Sequence, residues 1–334
     1  MNKQIKQALL SVFFISFFCS QTAFGKTYSF GIAEFWMPYG AAFVAQEKGF
    51  WKAEGVDVEV RMFTGYDGVP AFKHGKLDFY NIITSSAIEL INEYPENIFI
   101  YEYDWSNGGD KFLLSNSIKD INELKGKIIG MYSDDISLRF FLSKILKKQS
   151  SLTLSDVKMR QAKDTPSLSK AFKRGVFSAV IQFDPEATKL VNEGAGRPIA
   201  NSAEYPGVIG DGFITQKKLL KENPEDVKKV LRGWLSAVQW LSEPKNKNEY
   251  YEILNRTLYK TSPLSKKELL ENETGAIVPH AKEEILMKNG ERLTTFTQEV
   301  MDYLKTTGVK LHSEDPKDYV DTSLAREVVK EFYK

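Results

Sequence analysis

The chain is short of the residues that most enzyme and metal centres need. Its 334 residues include one cysteine, Cys19, and three histidines, His74, His280 and His312. No two histidines are spaced as metal ligands, and no segment matches a P-loop, a GxSxG nucleophile elbow or a GxGxxG dinucleotide turn. We therefore expect no cofactor, no metal site and no catalytic nucleophile, and the chain is predicted to bind a molecule without transforming it.

The chain also lacks a large excess of one charge, and it has few long apolar runs. The formal net charge is +1, so the basic surplus of nucleic-acid-binding proteins is missing and we expect no nucleic-acid partner. One apolar run stands out, ALLSVFFISFF at residues 8–18, with Lys3 and Lys6 before it. It is shorter than the roughly 20 residues that cross a bilayer, and it has the charge and length of the hydrophobic region of a secretory leader.

Small residues follow this run where signal peptidase needs them, at Ala23 and Gly25. Residues 1–25 are therefore predicted to be a cleavable signal peptide, and the mature chain is predicted to be exported to the periplasm. Cleavage would also remove Cys19, leaving no thiol for a disulfide or a metal. Lipid attachment to Cys19 is an alternative, although Phe18 is bulkier than the small residue usual before a lipidated cysteine.

Part of the sequence occurs twice, at residues 56–90 and again at 157–190. Four residues return one hundred positions later: Ala71, Phe72, Lys73 and Gly75 become Ala171, Phe172, Lys173 and Gly175. Each copy reads as strand, short helix, Lys-x-Gly turn, strand and helix, which is a βαβ unit. Two copies predict an α/β fold with two similar lobes. Ligands of such sheets bind beyond the carboxyl ends of the strands, which places the predicted site between the lobes.

The chain is predicted to pass from the first lobe to the second and back. Residues 26–114 are assigned to the first part of lobe one, 115–210 to lobe two, and 211–334 to the return and the C-terminal helices. Two crossover strands are expected near residues 111–115 and 211–215. Two such connections between separate cores predict a hinge.

The predicted strand ends carry aromatic, hydroxyl and acidic side chains, which suit ligand contacts. The candidate ligand-binding residues are Phe35, Trp36, Tyr39, Gly65, Tyr66, Thr84, Ser85, Trp105, Ser133, Asp134, Phe183, Asp184 and Asp211. Thr84 and Asp184 occupy the same place in the two repeats. An alternative interpretation makes Thr84 with the hydroxyls after it, Ser133 and Asp164 only helix N-caps, and Asp184 suits capping too.

The segment QEKGFWKAEGVDVEV (46–60), followed by AFKHGKLDF, DWSNGGD and a strand ending aromatic-acid-Pro, resembles one family of periplasmic binding proteins. That family captures sulfonates, taurine and the pyrimidine precursors of thiamine for ABC importers. The resemblance covers residues 28–215. It implies the type II two-lobed fold with two crossover strands as a hinge, and ligand contacts at Phe35-Trp36, Gly65-Tyr66, Thr84-Ser85 and Phe183-Asp184. Relatives commonly have Trp where this chain has Phe183.

The predicted cleft segments are acidic and aromatic, once the flanking Lys111 is set aside. A sulfonate would be expected to meet a positioned arginine. Rings together with carboxylates suit a flat, amine-bearing or cationic ligand. We therefore expect a ligand like the thiamine pyrimidine precursors, clamped between Trp36 of lobe one and Asp184 of lobe two. A sulfonate or taurine ligand is the alternative.

Three classes of function remain open at this point. The leading hypothesis is a monomeric solute-binding protein that delivers a small molecule to the membrane permease of an ABC importer. A ligand-sensing subunit of a membrane signalling receptor would have the same sequence features. A pyrimidine-synthesising enzyme of the same fold is disfavoured, because the chain has an export leader and no histidine at a predicted strand end.

Overall fold

The computed structural model describes residues 26–33, 35–63, 67–275 and 289–332. The predicted leader, the candidates Gly65 and Tyr66, and His280 lie outside these residues. The described part of the chain forms two mixed five-stranded sheets flanked by helices, which confirms the predicted α/β class. No helix in these ranges combines the length and apolar character that a bilayer crossing requires.

The strands lie close to where the repeat places them. They are β1 (Thr27–Ala33), β2 (Asp57–Phe63), β3 (Phe79–Ile83), β4 (Asn97–Trp105), β5 (Asp110–Ser115), β6 (Ile128–Met131), β7 (Lys158–Gln161), β8 (Ala179–Phe183), β9 (Gly196–Asn201) and β10 (Gly210–Gln216). The helices of the first lobe and its repeat are α1 (Gly40–Glu47), α2 (Phe50–Ala53), α3 (Gly68–Lys73), α4 (Thr84–Glu93), α5 (Ile136–Gln149), α6 (Thr165–Lys173) and α7 (Glu186–Asn192). The C-terminal helices are α8 (Lys217–Glu222), α9 (Pro224–Ser242), α10 (Lys247–Arg256), α11 (Lys266–Gly275), α12 (Asn289–Thr306) and α13 (Ser323–Phe332).

The two sheets have the same topology. Their strand orders are β2-β1-β3-β10-β4 and β7-β6-β8-β5-β9. In each, the two strands of the repeated unit and the strand before it are parallel, and the fourth strand runs antiparallel to both of its neighbours. The fourth strand of each sheet is the one that has just crossed from the other lobe. The sequence repeat is therefore a structural repeat.

The Lys-x-Gly turns end equivalent helices, α3 and α6, in the same way. Gly75 and Gly175 have φ values of 65° and 75°, the left-handed region that glycine enters without a steric penalty. Lys73 pairs with Glu93 at 3.2 Å, and one hundred residues on Lys173 pairs with Glu193 at 2.9 Å. The repeated residues thus serve local structure and do not form part of the ligand site.

The chain changes sheet at residues 106–109 and again at 202–209. The first change precedes the expected boundary at residue 114, because β5 already pairs in the second sheet. The two connections are joined by the hydroxyls of Ser106 and Ser202, 2.7 Å apart, and the Gly108 amide donates to Ser202 at 2.7 Å. The two connections are therefore bonded to each other.

The core of the first lobe is aromatic. Trp234 of α9 is fully buried against Phe213 and Tyr103, with ring centroids 4.6 and 4.8 Å away. This agrees with the sequence-based interpretation of Trp234 as a packing residue. Pro224 begins α9 with acidic residues in its first turn, an arrangement that favours the helix dipole.

A second contact joins the lobes away from the cleft. Phe140 of α5 is buried and packs against Phe296 and Tyr303 of α12, with ring centroids 6.0 and 5.3 Å apart. Lys144 of α5 also pairs with Glu299 of α12. Helix α12 itself packs on α4 of the first lobe, so this apolar patch holds the second lobe against the first.

Candidate ligand site between the lobes

A small cavity lies where the carboxyl ends of the strands of both sheets meet. Its volume is about 40 Å³, and its lining residues are Trp36, Tyr39, Ile83, Ser106, Asp110, Tyr132, Phe183, Ile209 and Asp211. Pockets for ligands with a ring commonly measure about 300–1,000 Å³. A ring-sized ligand therefore requires the lobes, or the aromatic walls, to move apart.

Aromatic rings from both lobes form the walls of this cavity. Trp36 lies in the loop after β1, and Phe183 ends β8; their ring centroids are 6.3 Å apart in an edge-to-face arrangement. Tyr132 also packs edge-to-face against Phe183, with ring centroids 4.8 Å apart. Such rings offer both faces and edges to a flat or cationic ligand.

Carboxyl groups form the other part of the site. Asp211 of β10 lies directly opposite Asp104 of β4 in the antiparallel ladder, and both are buried. Trp36 Nε1 donates to Asp104 Oδ2 at 2.9 Å, and the hydroxyl of Tyr39 donates to Asp211 Oδ1. The aromatic loop after β1 therefore holds the acidic pair in position.

Burial dominates the electrostatics of these groups. It raises the pKa of Asp104 well above its usual value, and the charge of Asp211 raises it further. Burial likewise raises the pKa of Asp211, to about 7. The hydrogen bond from Tyr39 acts in the opposite direction and lowers that pKa. Burial and the neighbouring Asp211 hold the pKa of Tyr39 well above its usual value. At neutral pH Tyr39 is thus a neutral donor and the acidic pair is partly protonated.

A third buried carboxyl reaches the cavity from the crossover between the lobes. Asp110 begins β5 and accepts a hydrogen bond from the hydroxyl of Tyr132 at 2.8 Å. Burial raises its pKa as well, while hydrogen bonds from Ser106 and Tyr132 oppose that shift. The cavity thus brings two carboxyls, Asp110 and Asp211, against aromatic walls.

Asp184, the predicted second jaw of the clamp, already has partners within the protein. Its Oδ2 is 2.5 Å from Lys111 Nζ, and its Oδ1 accepts from the Thr188 amide at 2.9 Å and the Thr188 hydroxyl at 2.7 Å. Asp184 therefore pairs with a lysine and caps the first turn of α7. Its contact with a ligand amine stays a prediction.

Thr84 and Ser85 begin α4 and are fully buried. The expected hydroxyl cap of this helix is wrong, because no side chain caps it. The Thr84 hydroxyl instead bonds Glu102 Oε1 and the Gly210 carbonyl, each at 3.0 Å. Ser85 Oγ is buried with no hydrogen-bond partner among the described residues.

The remaining candidates lie outside the cavity wall. Trp105 donates through Nε1 to Glu102 at 3.0 Å, and the Arg292 guanidinium lies 4.5 Å over its ring. Asp134 pairs with Arg139 at 2.7 Å. Ser133 bonds Asp135, and it is Asp135 that caps α5. Phe35 is 36% exposed, and its carbonyl accepts from Tyr259.

The cavity thus brings together four predicted residues, Trp36, Tyr39, Phe183 and Asp211. Sequence reasoning left Asp104, Asp110 and Tyr132 out of the candidate list. The signal was present, since all three belong to the acidic and aromatic segments at the predicted strand ends. Within DWSNGGD, Trp105 was chosen as the largest side chain in place of Asp104 and Asp110. After β6, Ser133 and Asp134 were chosen in place of Tyr132.

Comparison with known proteins places the chain in a family. Residues 38–247 match the family described as NMT1/THI5 like. The "Putative binding protein" of Brucella abortus (strain 2308) is 29% identical over 206 residues, which are 60% of this chain and 62% of that protein. The chain therefore aligns with less than two-thirds of that relative's length.

Two solved structures show the same fold at low identity. The periplasmic nitrate-binding protein NrtA from Synechocystis PCC 6803 has a TM-score of 0.70 and 16% identity, covering 92% of this chain and 89% of that chain. The alkanesulfonate-binding protein SsuA from Xanthomonas axonopodis pv. citri, bound to MOPS, has a TM-score of 0.65 and 15% identity. The likeness covers 86% of this chain and 95% of that chain. These likenesses confirm the predicted two-lobed periplasmic binding protein fold, and the matched residues 38–247 show that the chain belongs to the NMT1/THI5-like family.

Proposed function

We propose that this chain is the exported solute-binding subunit of an ABC importer and captures a small, flat, amine-bearing ligand between its lobes. The observation that carries the proposal is the cavity at the lobe junction, where Asp110 and Asp211 lie buried against Trp36, Tyr132 and Phe183. Buried carboxyls accept charge-assisted hydrogen bonds from an amine, and the rings stack on a flat or cationic group.

The cations near the site support this ligand class because each described one has an acidic partner. Lys111 is bonded to Asp184 at 2.5 Å, and Arg292 is bonded to the buried carboxylate of Glu102. Neither Asp110 nor Asp211 forms an ion pair with a cation of the described residues. A positively charged ligand would therefore supply the missing charge.

A sulfonate-type ligand is the second candidate, favoured by the likeness to an alkanesulfonate-binding protein. It would place an anion beside carboxyls that already lack cations, which is unfavourable at neutral pH. An enzymatic role receives no support from the cavity, because neither a histidine nor a cysteine is among its lining residues. A sensory subunit would use the same site, and its membrane partner distinguishes it from the importer.

The first test is native mass spectrometry of the protein purified from its exported form, to detect a co-purified small molecule. The second is thermal denaturation with 4-amino-2-methylpyrimidine, taurine and nitrate as probes. We expect the aminopyrimidine to raise the melting temperature, because a ligand that binds only the folded state stabilises it. Stabilisation by nitrate and not by the aminopyrimidine would contradict the proposed ligand class. Taurine carries an ammonium group as well as a sulfonate, so stabilisation by taurine alone would contradict only the requirement for a flat ligand.

The exported location rests on the predicted leader and on the periplasmic relatives of the fold. N-terminal sequencing of the exported protein tests it, with Lys26 as the expected first residue. An intact leader, or a lipid on Cys19, would contradict cleavage after Gly25.

A further inference from the structure

Two buried acids lie directly opposite each other beside the cavity: Asp211 lines it, and Asp104 lies behind Asp211 on the neighbouring strand. Asp104 and Asp211 are matched residues of β4 and β10, 0% and 3% exposed. Like charges directly opposite in a sheet destabilise it, and two adjacent buried carboxylates do not both ionise readily. Neither carboxyl forms an ion pair with any cation that the structure describes. The pair therefore has no positive partner among the described residues.

We propose that Asp104 and Asp211 hold a proton between them and give it up when the cationic group of the ligand arrives. Capture of the ligand would then release a proton to solution. The inference rests on the proposed function and adds to it a chemical requirement on the ligand. The exchange forms and breaks no covalent bond except the O–H of the carboxyl, whose proton passes to water or buffer.

The hydrogen bonds leave a place for this proton. Trp36 and Tyr39 each donate to one oxygen of the pair, Asp104 Oδ2 and Asp211 Oδ1. Asp104 Oδ1 is buried, and no donor of the described residues reaches it. A buried acceptor without a donor is unfavourable, because it has given up its hydrogen bonds to water. A proton shared with Asp211 removes that cost, and an N–H donor of a ligand would do the same.

The charges around the pair favour a positive occupant from every side. The polar and charged groups near the pair come from three strands and from the segment before α1. They are Glu102 and Tyr103 of β4, Tyr39 before α1, Asn81 of β3 and Asp110 at the start of β5. Arg292 of α12 neutralises Glu102 but forms no ion pair with Asp104 or Asp211. The local field is therefore negative or neutral, which retains a proton at neutral pH and attracts a cation.

The sign of the proton exchange separates the two ligand classes. A cation replaces the proton and releases it, because ionised carboxylates then have a positive partner. An anion such as a sulfonate would instead require protonation of the remaining carboxylate, so its binding would take up a proton. The direction of proton transfer therefore reports the charge of the ligand group that reaches the pair.

Calorimetric titration with 4-amino-5-aminomethyl-2-methylpyrimidine, an aminopyrimidine whose aminomethyl group is cationic near pH 7, tests the proposal when it is run in phosphate and in Tris, because the two buffers differ strongly in ionisation enthalpy. We expect the apparent binding enthalpy to differ between the buffers in the sense of proton release. Asp211→Asn should abolish that difference, and Asp104→Asn should reduce it. Asp302→Asn, at an exposed carboxyl of α12, should leave it unchanged.

Each other outcome overturns a distinct statement. Equal enthalpies in the two buffers for the wild-type protein would overturn proton exchange and leave the proposed ligand class standing. No binding of the aminopyrimidine would overturn the proposed function and this inference with it. Proton uptake on binding nitrate, which has no cationic group, would overturn both in favour of an anionic ligand.

A measurement without ligand tests the shared proton even if a variant loses ligand binding for another reason. Infrared spectra of the wild-type protein across pH 5–9 should show a protonated carboxyl that titrates near neutral pH. Asp211→Asn should lose the part of the band that titrates near pH 7, and Asp302→Asn should keep it, with circular dichroism confirming that each variant is folded. Absence of the band from the wild-type protein would contradict the shared proton directly.

Discussion

At the scale of single residues, Asp211 shows how the site lowers the stability of the fold. Its side chain lines the cavity, and burial raises its pKa from 3.8 to about 7. The folded state therefore binds a proton more tightly than the unfolded state does. The contribution of protonated Asp211 to the free energy of unfolding is fully present below about pH 4. It is lost as the pH rises to about 7.

We predict that Asp211→Asn flattens this pH dependence. An amide keeps the shape and can donate to Asp104, so the variant should be more stable than the wild-type protein at pH 8. The difference is on the order of 4 kcal/mol from the pKa shift and should vanish near pH 4. Urea unfolding at both pH values measures it. A parallel pH profile for variant and wild type would show that Asp211 is ionised in the folded protein at all these pH values.

Asp184 and Lys111 form the other residue-scale test. The pair is 2.5 Å apart, with side chains only 8% and 18% exposed. We predict that Asp184→Asn destabilises the protein by about 3 kcal/mol, because it leaves the lysine charge half-buried without its partner. The double variant Lys111→Met, Asp184→Asn should recover most of that loss in urea unfolding.

The same double variant tests the predicted clamp. If Asp184 also contacts the ligand amine, the double variant should be stable and still bind the aminopyrimidine more weakly than the wild-type protein. Wild-type affinity in the double variant would assign Asp184 to the structure of the second lobe alone.

At the scale of elements, the pairing of β4 with β10 decides which side chains reach the site. Asp211 is matched with Asp104 and Gly212 with Glu102, so Tyr103 is the extra residue of a β-bulge. The bulge breaks the strict alternation along β4. Glu102 consequently bonds Trp105, while Asp104 receives the hydrogen bond of Trp36 in the cleft.

Gly212 permits this close pairing. A Cβ there would lie 2.1 Å from the backbone carbonyl oxygen of Tyr101 and 2.2 Å from Phe99 Cζ. We predict that Gly212→Ala destabilises the protein by about 3 kcal/mol and weakens ligand binding, because the β4–β10 register shifts to relieve the clash.

Gly126→Ala is the matched control for Gly212→Ala. Gly126 has a φ of 73° and no neighbouring atom within 4 Å of an added Cβ, so only backbone strain of about 1–2 kcal/mol is expected. Its ligand affinity should be that of the wild-type protein. Equal losses of stability and affinity in the two variants would show that the clash with β4 has no specific effect.

At the scale of the whole molecule, opening of the lobes must separate more than the ligand cleft. Tyr303 of α12 packs against Phe140 of α5 across the lobes at 5.3 Å. The cavity of about 40 Å³ is too small for a ring-sized ligand. If the lobes move apart to admit one, this apolar patch has to slide or part.

We predict that Tyr303→Ala shifts the ligand-free protein towards the open form. Small-angle scattering should show a larger radius of gyration, and the aminopyrimidine should bind more weakly because closure loses part of its contact energy. Lys144→Ala removes only the exposed ion pair with Glu299, worth about 0–1 kcal/mol, and should change neither quantity. An unchanged radius in Tyr303→Ala would mean that the hinge moves without separating this patch.

The amino-acid sequence by itself determined the architecture of this protein. A hundred-residue repeat with Lys-x-Gly turns implies two βαβ lobes, because hydrophobic periodicity and turn chemistry are local properties. The same reasoning located Trp36, Tyr39, Phe183 and Asp211 at strand ends, which face the cleft in any such fold. These predictions needed no knowledge of contacts between distant residues.

Only the tertiary structure decided the electrostatics of the site. Whether a carboxyl meets a lysine, another carboxyl or a ligand depends on sheet register, and register is set by pairing between strands far apart in the chain. Lys111 was set aside as a flanking residue, but the β5–β8 ladder brings it to Asp184. The bulge in β4 likewise turned Trp105 towards Arg292 and placed Asp104 opposite Asp211. Burial and register are collective properties of the folded chain, so the charge of the site is determined only when both sheets have formed.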